Sequence, residues 1–78
     1  MSDWFLGRDV MCVQVNGARR EVPAGLDVSG LLSALGVAPE RVAVEVNLAV
    51  IERGRYGGFI LNEGDQVEII SFVGGGRR

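Results

Sequence analysis

Between Met11 and Val22 apolar and polar positions alternate. Met11, Val13 and Val15 fall on one side of an extended backbone and Cys12 and Gln14 on the other, a period of two that predicts a half-buried β-strand. The alternation breaks at Asn16-Gly17. Both residues tolerate the positive φ of a type I′ turn, so a second strand is expected to fold back through Arg19 to Val22. Pro23 ends it, because proline has no N–H to give to a ladder. In LDVSGLLSALG the period changes, with Val28, Leu31, Leu32 and Leu35 at the i, i+3, i+4, i+7 spacing of one helical face. Asp27 is placed to cap the start of this short helix and Gly36 to end it in the left-handed conformation. Gly30 inside it costs up to about 1 kcal/mol relative to alanine, which suggests close packing against a sheet.

Val42, Val44 and Val46 then alternate with Ala43, Glu45 and Asn47, a third half-buried strand. LAVIERGRYGGFILNEGDQ is less regular. It predicts a short strand near Val50 to Glu52, an irregular stretch around Gly54, Gly57 and Gly58, and a turn from Asn62 to Asp65. The last strand is QVEIISFV. Glu68 has to face water, so parity sends Val67, Ile69, Ser71 and Val73 inward and leaves Ile70 and Phe72 outward. Two large apolar groups on an open face are either a satellite cluster, packed on a loop or on Trp4 and Phe5, or a docking patch for a partner. One short helix covering one face of a mixed sheet of about five strands is an α+β arrangement.

Composition narrows the functions. A chain of 78 residues holds one domain, with no room to enclose an active site. The net charge is −2, and all eight basic residues are arginines scattered among acids, which argues against nucleic acid. There is no histidine, so Ser-His and Cys-His nucleophile pairs are excluded and a metal site would need carboxylates alone. The one cysteine, Cys12, cannot form an internal disulfide and fits a reducing, cytoplasmic compartment. It reads as a strand residue rather than a sulfur relay, since nothing near it in sequence would activate a thiol. Glu45, Glu63 and Asp65 read as surface and turn acids. Gly57-Gly58 reads as a turn rather than a phosphate loop, because neither a helix start nor a lysine follows it. The apolar run Trp4, Phe5 and Leu6 is too short for a membrane span or a signal-peptide core.

The stretches VNGARREVP, LLSALGV, RVAVEVN, RYGGFILNEGDQVEII and FVGGG, in that order from Met11 to Gly76, resemble the ThiS-type sulfur carriers of thiamine biosynthesis, in the MoaD/ThiS superfamily. The resemblance implies a ubiquitin-like β-grasp fold over residues 11–73, with residues 1–10 as an N-terminal extension and 74–78 as a flexible glycine-rich tail. It also implies a function: a protein co-substrate, not an enzyme, that binds no cofactor. Gly76 would be adenylated with ATP by a ThiF-like adenylyltransferase and converted to a thiocarboxylate with sulfur from a cysteine desulfurase system. The thiazole synthase ThiG would then receive the sulfur. Gly74 and Gly75 would be the thread that carries Gly76 into a partner's site, and Ile70 and Phe72 the docking residues. Neither a nucleic-acid nor a membrane partner is implied.

Two other functions share these features. Sulfur carriers for molybdopterin or amino-acid biosynthesis also combine a β-grasp body with a Gly-Gly end, and non-catalytic β-grasp binding modules share the body alone. The chain departs from the family at Arg77 and Arg78, which place the carboxyl group of Gly76 in a peptide bond. A chain carrying them is expected to take no sulfur until they are removed.

Overall fold

The computed structural model describes residues 9–72. Five strands and one helix follow in the order β1 (Val10–Val15), β2 (Ala18–Pro23), α1 (Val28–Leu35), β3 (Val42–Val46), β4 (Ala49–Ile51) and β5 (Gln66–Ser71). Single 3₁₀ turns at Pro39–Arg41 and Arg53–Arg55 precede β3 and follow β4. The sheet order is β2-β1-β5-β3-β4. β5 runs parallel to β1 and antiparallel to β3, and the outer pairs are antiparallel hairpins. This is the expected β-grasp arrangement: a helix crosses from the first hairpin to the second, and the final strand fills the gap between them.

The first hairpin follows the alternation in the sequence. Val15 pairs with Ala18 across Asn16 and Gly17, whose φ values of 51° and 85° are both positive, as the type I′ turn requires. β1 starts one residue earlier than the pattern suggested, because Val10 still finds a partner in Pro23. The helix is capped at both ends. The Asp27 carboxylate accepts from Gly30 N–H at 2.7 Å, and Gly36 at φ 71° turns its N–H back to Leu32 and Ser33.

Val13, Val28, Leu31, Leu32, Val44, Leu61 and Val67 fill the space between helix and sheet and are almost completely buried. Truncating one of the leucines to alanine in such a core costs about 2–5 kcal/mol. Tyr56 is buried with them, and its hydroxyl donates to the Val42 carbonyl at 3.2 Å, so its polar end is satisfied.

Three expectations are corrected. Gly30 is crowded not by the sheet but by the chain entering the helix: a Cβ there would lie 2.5 Å from Leu26 Cδ1 and 3.2 Å from Asp27 Oδ1. β4 covers Ala49–Ile51 rather than Val50 to Glu52, since pairing Val46 with Ala49 and Val44 with Ile51 turns Ile51 inward. Ser71, placed inward by parity, is exposed. The helix spans only eight residues, and the buried side of β5 fades from Val67 through a half-buried Ile69 before Ser71 is reached.

Candidate functional site: the open sheet face and the end of β5

Inward placement of Val42, Val44 and Val46 fixes what lies on the other side of the sheet. Ala43 pairs with Ile70, Glu45 with Glu68, and Glu45 on its other side with Val50. The uncovered face therefore carries Val50, Glu45 and Glu68 in one row and Ala43 and Ile70 in the next. Ile70 and Phe72 are outward, as the parity of β5 predicted, at 46% and 54% exposure. Phe72 N–H donates to the Arg41 carbonyl at 2.9 Å, which holds the backbone to the sheet up to the last described residue. The predicted acyl residue Gly76 and thread residues Gly74 and Gly75 lie outside the described residues, as do Val73, Trp4 and Phe5.

Two asparagines hold β5 in register. Asn16, at φ 51°, donates its backbone N–H to Val67 O at 2.8 Å. Its side-chain amide then takes both groups of Ile69, accepting from N–H at 2.7 Å and donating to the carbonyl at 3.2 Å. Asn47, at φ 52°, repeats the device from β3. Its backbone N–H goes to Gln66 O at 2.8 Å, its Oδ1 accepts from Gln66 N–H at 3.0 Å, and its Nδ2 donates to Asp65 Oδ1 at 3.0 Å. The sequence pattern had placed Asn16 in a turn and Asn47 on an outward face. It carried no sign that either would grip β5.

The irregular stretch before β5 secures the helix. Val28 N–H donates to Phe59 O at 3.0 Å and Ser29 N–H to Tyr56 O at 3.1 Å, which takes up donors that a helix start otherwise leaves unpaired. The second oxygen of Asp27 accepts from Gly58 N–H at 3.0 Å. Hydrogen bonds from Gly58 first and Gly30 second hold the Asp27 carboxyl below the usual carboxylate range. Gly58 is thereby committed to a structural contact, in keeping with a turn rather than a phosphate loop. Glu63 and Cys12 are also tied into the fold: Glu63 accepts from the Cys12 backbone N–H at 3.0 Å, and Arg19 Nη2 donates to the Cys12 Sγ at 3.0 Å.

Pattern reading missed the β3–β4 turn. Leu48 sits in it at φ 73° and 87% exposure, and Val50 follows at 69%. No glycine, proline or second asparagine marks the turn, so the local signal was absent.

The ThiS family model matches residues 13–76, through the third glycine of the tail. The chain belongs to the ThiS family. The crystal structure of the thiamine biosynthesis protein (ThiS) from Geobacter metallireducens agrees with this ThiS-family fold at a TM-score of 0.74 and 43% identity, covering 85% of this chain and all of that one. Thiazole synthases from Magnetococcus marinus and Paramagnetospirillum magneticum are 49% identical over 67 residues and 41% identical over 66. These matches take in 86% and 85% of this chain but 21% and 20% of the two synthases. The chain thus spans about a fifth of the length of these curated relatives. No helix among the described residues is long and apolar enough to cross a membrane.

Proposed function

We propose that this ThiS-family chain is a sulfur carrier of thiamine biosynthesis, working as a protein co-substrate with Gly76 as the acyl residue. The observation that carries the reading is the extent of the family match, which runs through the folded body and out along the tail to residue 76. The carboxylate of a terminal glycine is a poor acyl donor. A ThiF-like adenylyltransferase supplies a leaving group: the carboxylate attacks the α-phosphorus of ATP, releasing pyrophosphate and forming the acyl-adenylate. A persulfide sulfur from a cysteine desulfurase system then takes the carbonyl, AMP departs, and reduction of the remaining S–S bond by a thiol frees the thiocarboxylate. ThiG receives that sulfur for the thiazole ring. The carrier supplies neither acid nor base.

The tail needs reach and slenderness. Glycines have no Cβ and enter narrow channels in conformations closed to other residues, and Gly74 to Gly76 extended span roughly 10 Å. Ile70 and Phe72, exposed at the last anchored positions before the tail, are where a partner would dock. Arg77 and Arg78 keep Gly76 in a peptide bond, so hydrolysis of the Gly76–Arg77 bond has to precede activation.

Intact mass after incubation with ATP, the adenylyltransferase and a sulfur source tests this. A chain ending at Gly76 should gain about 16 Da, the difference between sulfur and oxygen, when its carbonyl is attacked by sulfur. The chain that retains Arg77 and Arg78 should gain nothing. If the Gly76-terminated chain forms neither an AMP adduct nor the heavier species, the sulfur-carrier reading falls.

A further inference from the structure

The open face breaks local rules at three positions that lie close together. Glu45 and Glu68 stand directly opposite each other on antiparallel strands, a like-charge pairing that weakens a sheet. No described residue donates a hydrogen bond to either carboxylate. Leu48, in the turn that joins the neighbouring strands, holds a left-handed conformation at φ 73° that branched side chains resist, and it is the most exposed large apolar residue described. Asn47 ties that turn to Asp65 and Gln66, so Leu48 is held on a fixed tip. Apolar Val50 and Leu48 thus lie on one side of the acidic pair, and Ile70 and Phe72 on the other. The surrounding strands and Asn47 hold this strain in place, and such departures from local rules cluster at clamps and other functional sites.

We infer that this face is a docking surface for a protein partner that presents a basic side chain between two apolar contacts. The basic group would seat on Glu45 and Glu68, and Leu48 would anchor the end remote from the tail. Charge complementarity selects a cationic partner, since an opposed acidic pair repels an acidic surface, and covering it with a neutral one desolvates two carboxylates without neutralising them. The partner is the thiazole synthase, because in the Magnetococcus and Paramagnetospirillum relatives the matching segment is part of a thiazole synthase chain. This rests on the sulfur-carrier reading and extends it. Tail and turn lie at opposite ends of β5, whose six residues cover roughly 20 Å, so a partner holding both spans the full length of the sheet.

Two variants separate docking from folding. Leu48→Gly suits the left-handed turn, and the double variant Glu45→Gln/Glu68→Gln removes the repulsion; both should melt at or above the temperature of the unaltered chain. Binding is measured by calorimetry against purified thiazole synthase from the same cell, and against the adenylyltransferase as a comparison. Leu48→Gly should bind the synthase at least tenfold more weakly and keep the salt dependence of binding. The double variant should bind at least tenfold more weakly at low salt and lose that dependence. Synthase affinities within twofold of the unaltered chain for both variants overturn the inference, as does a loss of binding confined to the adenylyltransferase. In either case the unaltered chain ending at Gly76 would still gain its 16 Da or so, about the difference between sulfur and oxygen, so the sulfur-carrier reading would stand. An unaltered chain that gains the sulfur but does not bind the synthase overturns the inference too.

Discussion

Two turns of this molecule have nearly the same shape and very different legibility. Asn16-Gly17 joins β1 to β2 and Asn47-Leu48 joins β3 to β4. Each has two residues at positive φ, and in each the asparagine reaches sideways to the backbone of β5. In the first turn the second residue is glycine, which adopts its φ of 85° freely. In the second it is leucine at 73°, which does so against its own preference. The first turn would form from local chemistry alone. The second is imposed by the strands on either side, by the pairing of Val46 with Ala49 and by the grip of Asn47 on Asp65 and Gln66.

The largest effect expected from breaking this comparison is at Asn16. Replacement by alanine removes both side-chain bonds to Ile69 and puts a less tolerant residue at φ 51°. A loss of about 2 kcal/mol follows, or roughly 8–16 °C in Tm for a domain of this size. Asn47→Ala breaks equivalent contacts and should cost less, about 1–1.5 kcal/mol by thermal or urea melting. The reason is the ladder each supports: β1 and β5 share two paired positions, whereas β3 and β5 share five. If Asn47→Ala proves the more damaging, the asparagines are not equivalent clamps.

Exchanging the second residues sharpens the contrast. Gly17→Leu meets no atom within 4 Å of its Cβ, so its cost is conformational alone, about 1 kcal/mol. Leu48→Gly should go the other way and stabilise by up to about 1 kcal/mol, the relieved strain being offset in part by the greater freedom of glycine in the unfolded chain. Equilibrium melts that show the same sign for both would refute the account of the two turns.

The smallest expected effect is a slope, and it tests whether acid sensitivity lies elsewhere. Asp27 is held below its usual range in the folded protein by Gly58 and Gly30. Its contribution to stability is complete above the unfolded carboxylate value of about 3.9 and is lost as pH falls through the lower folded value. Stability measured from pH 5 downward should therefore decline less steeply in Asp27→Asn than in the unaltered chain. Leu48→Gly and Gly17→Leu should shift the whole curve without changing its slope.

What could be read in advance follows the same division. Strand parity, Asn16-Gly17, Asp27 and Gly36 act through the backbone of their neighbours, and a one-dimensional pattern records such effects. The outward placement of Ile70 and Phe72 belongs with them, since it follows from Glu68 facing water. The crowding of Gly30 by Leu26, the exposure of Ser71, the second bond of Asp27 and the fold-back at Leu48 depend on how far a short helix reaches or on contacts between distant segments. The acidic pair was visible as two surface residues, but only the register of β3 against β5 puts Glu45 opposite Glu68.

The order of the strands has a mechanical consequence. β5 is the last of the described strands and the middle one of the sheet, and it meets Asn16 across 53 positions of chain. The two hairpins cannot share a sheet until it arrives, so the domain gains its resistance to force at the same step that sets its outgoing end. A pull along that end would be resisted by β1 on one flank and β3 on the other, sheared together, whereas an edge strand would peel away one bond at a time.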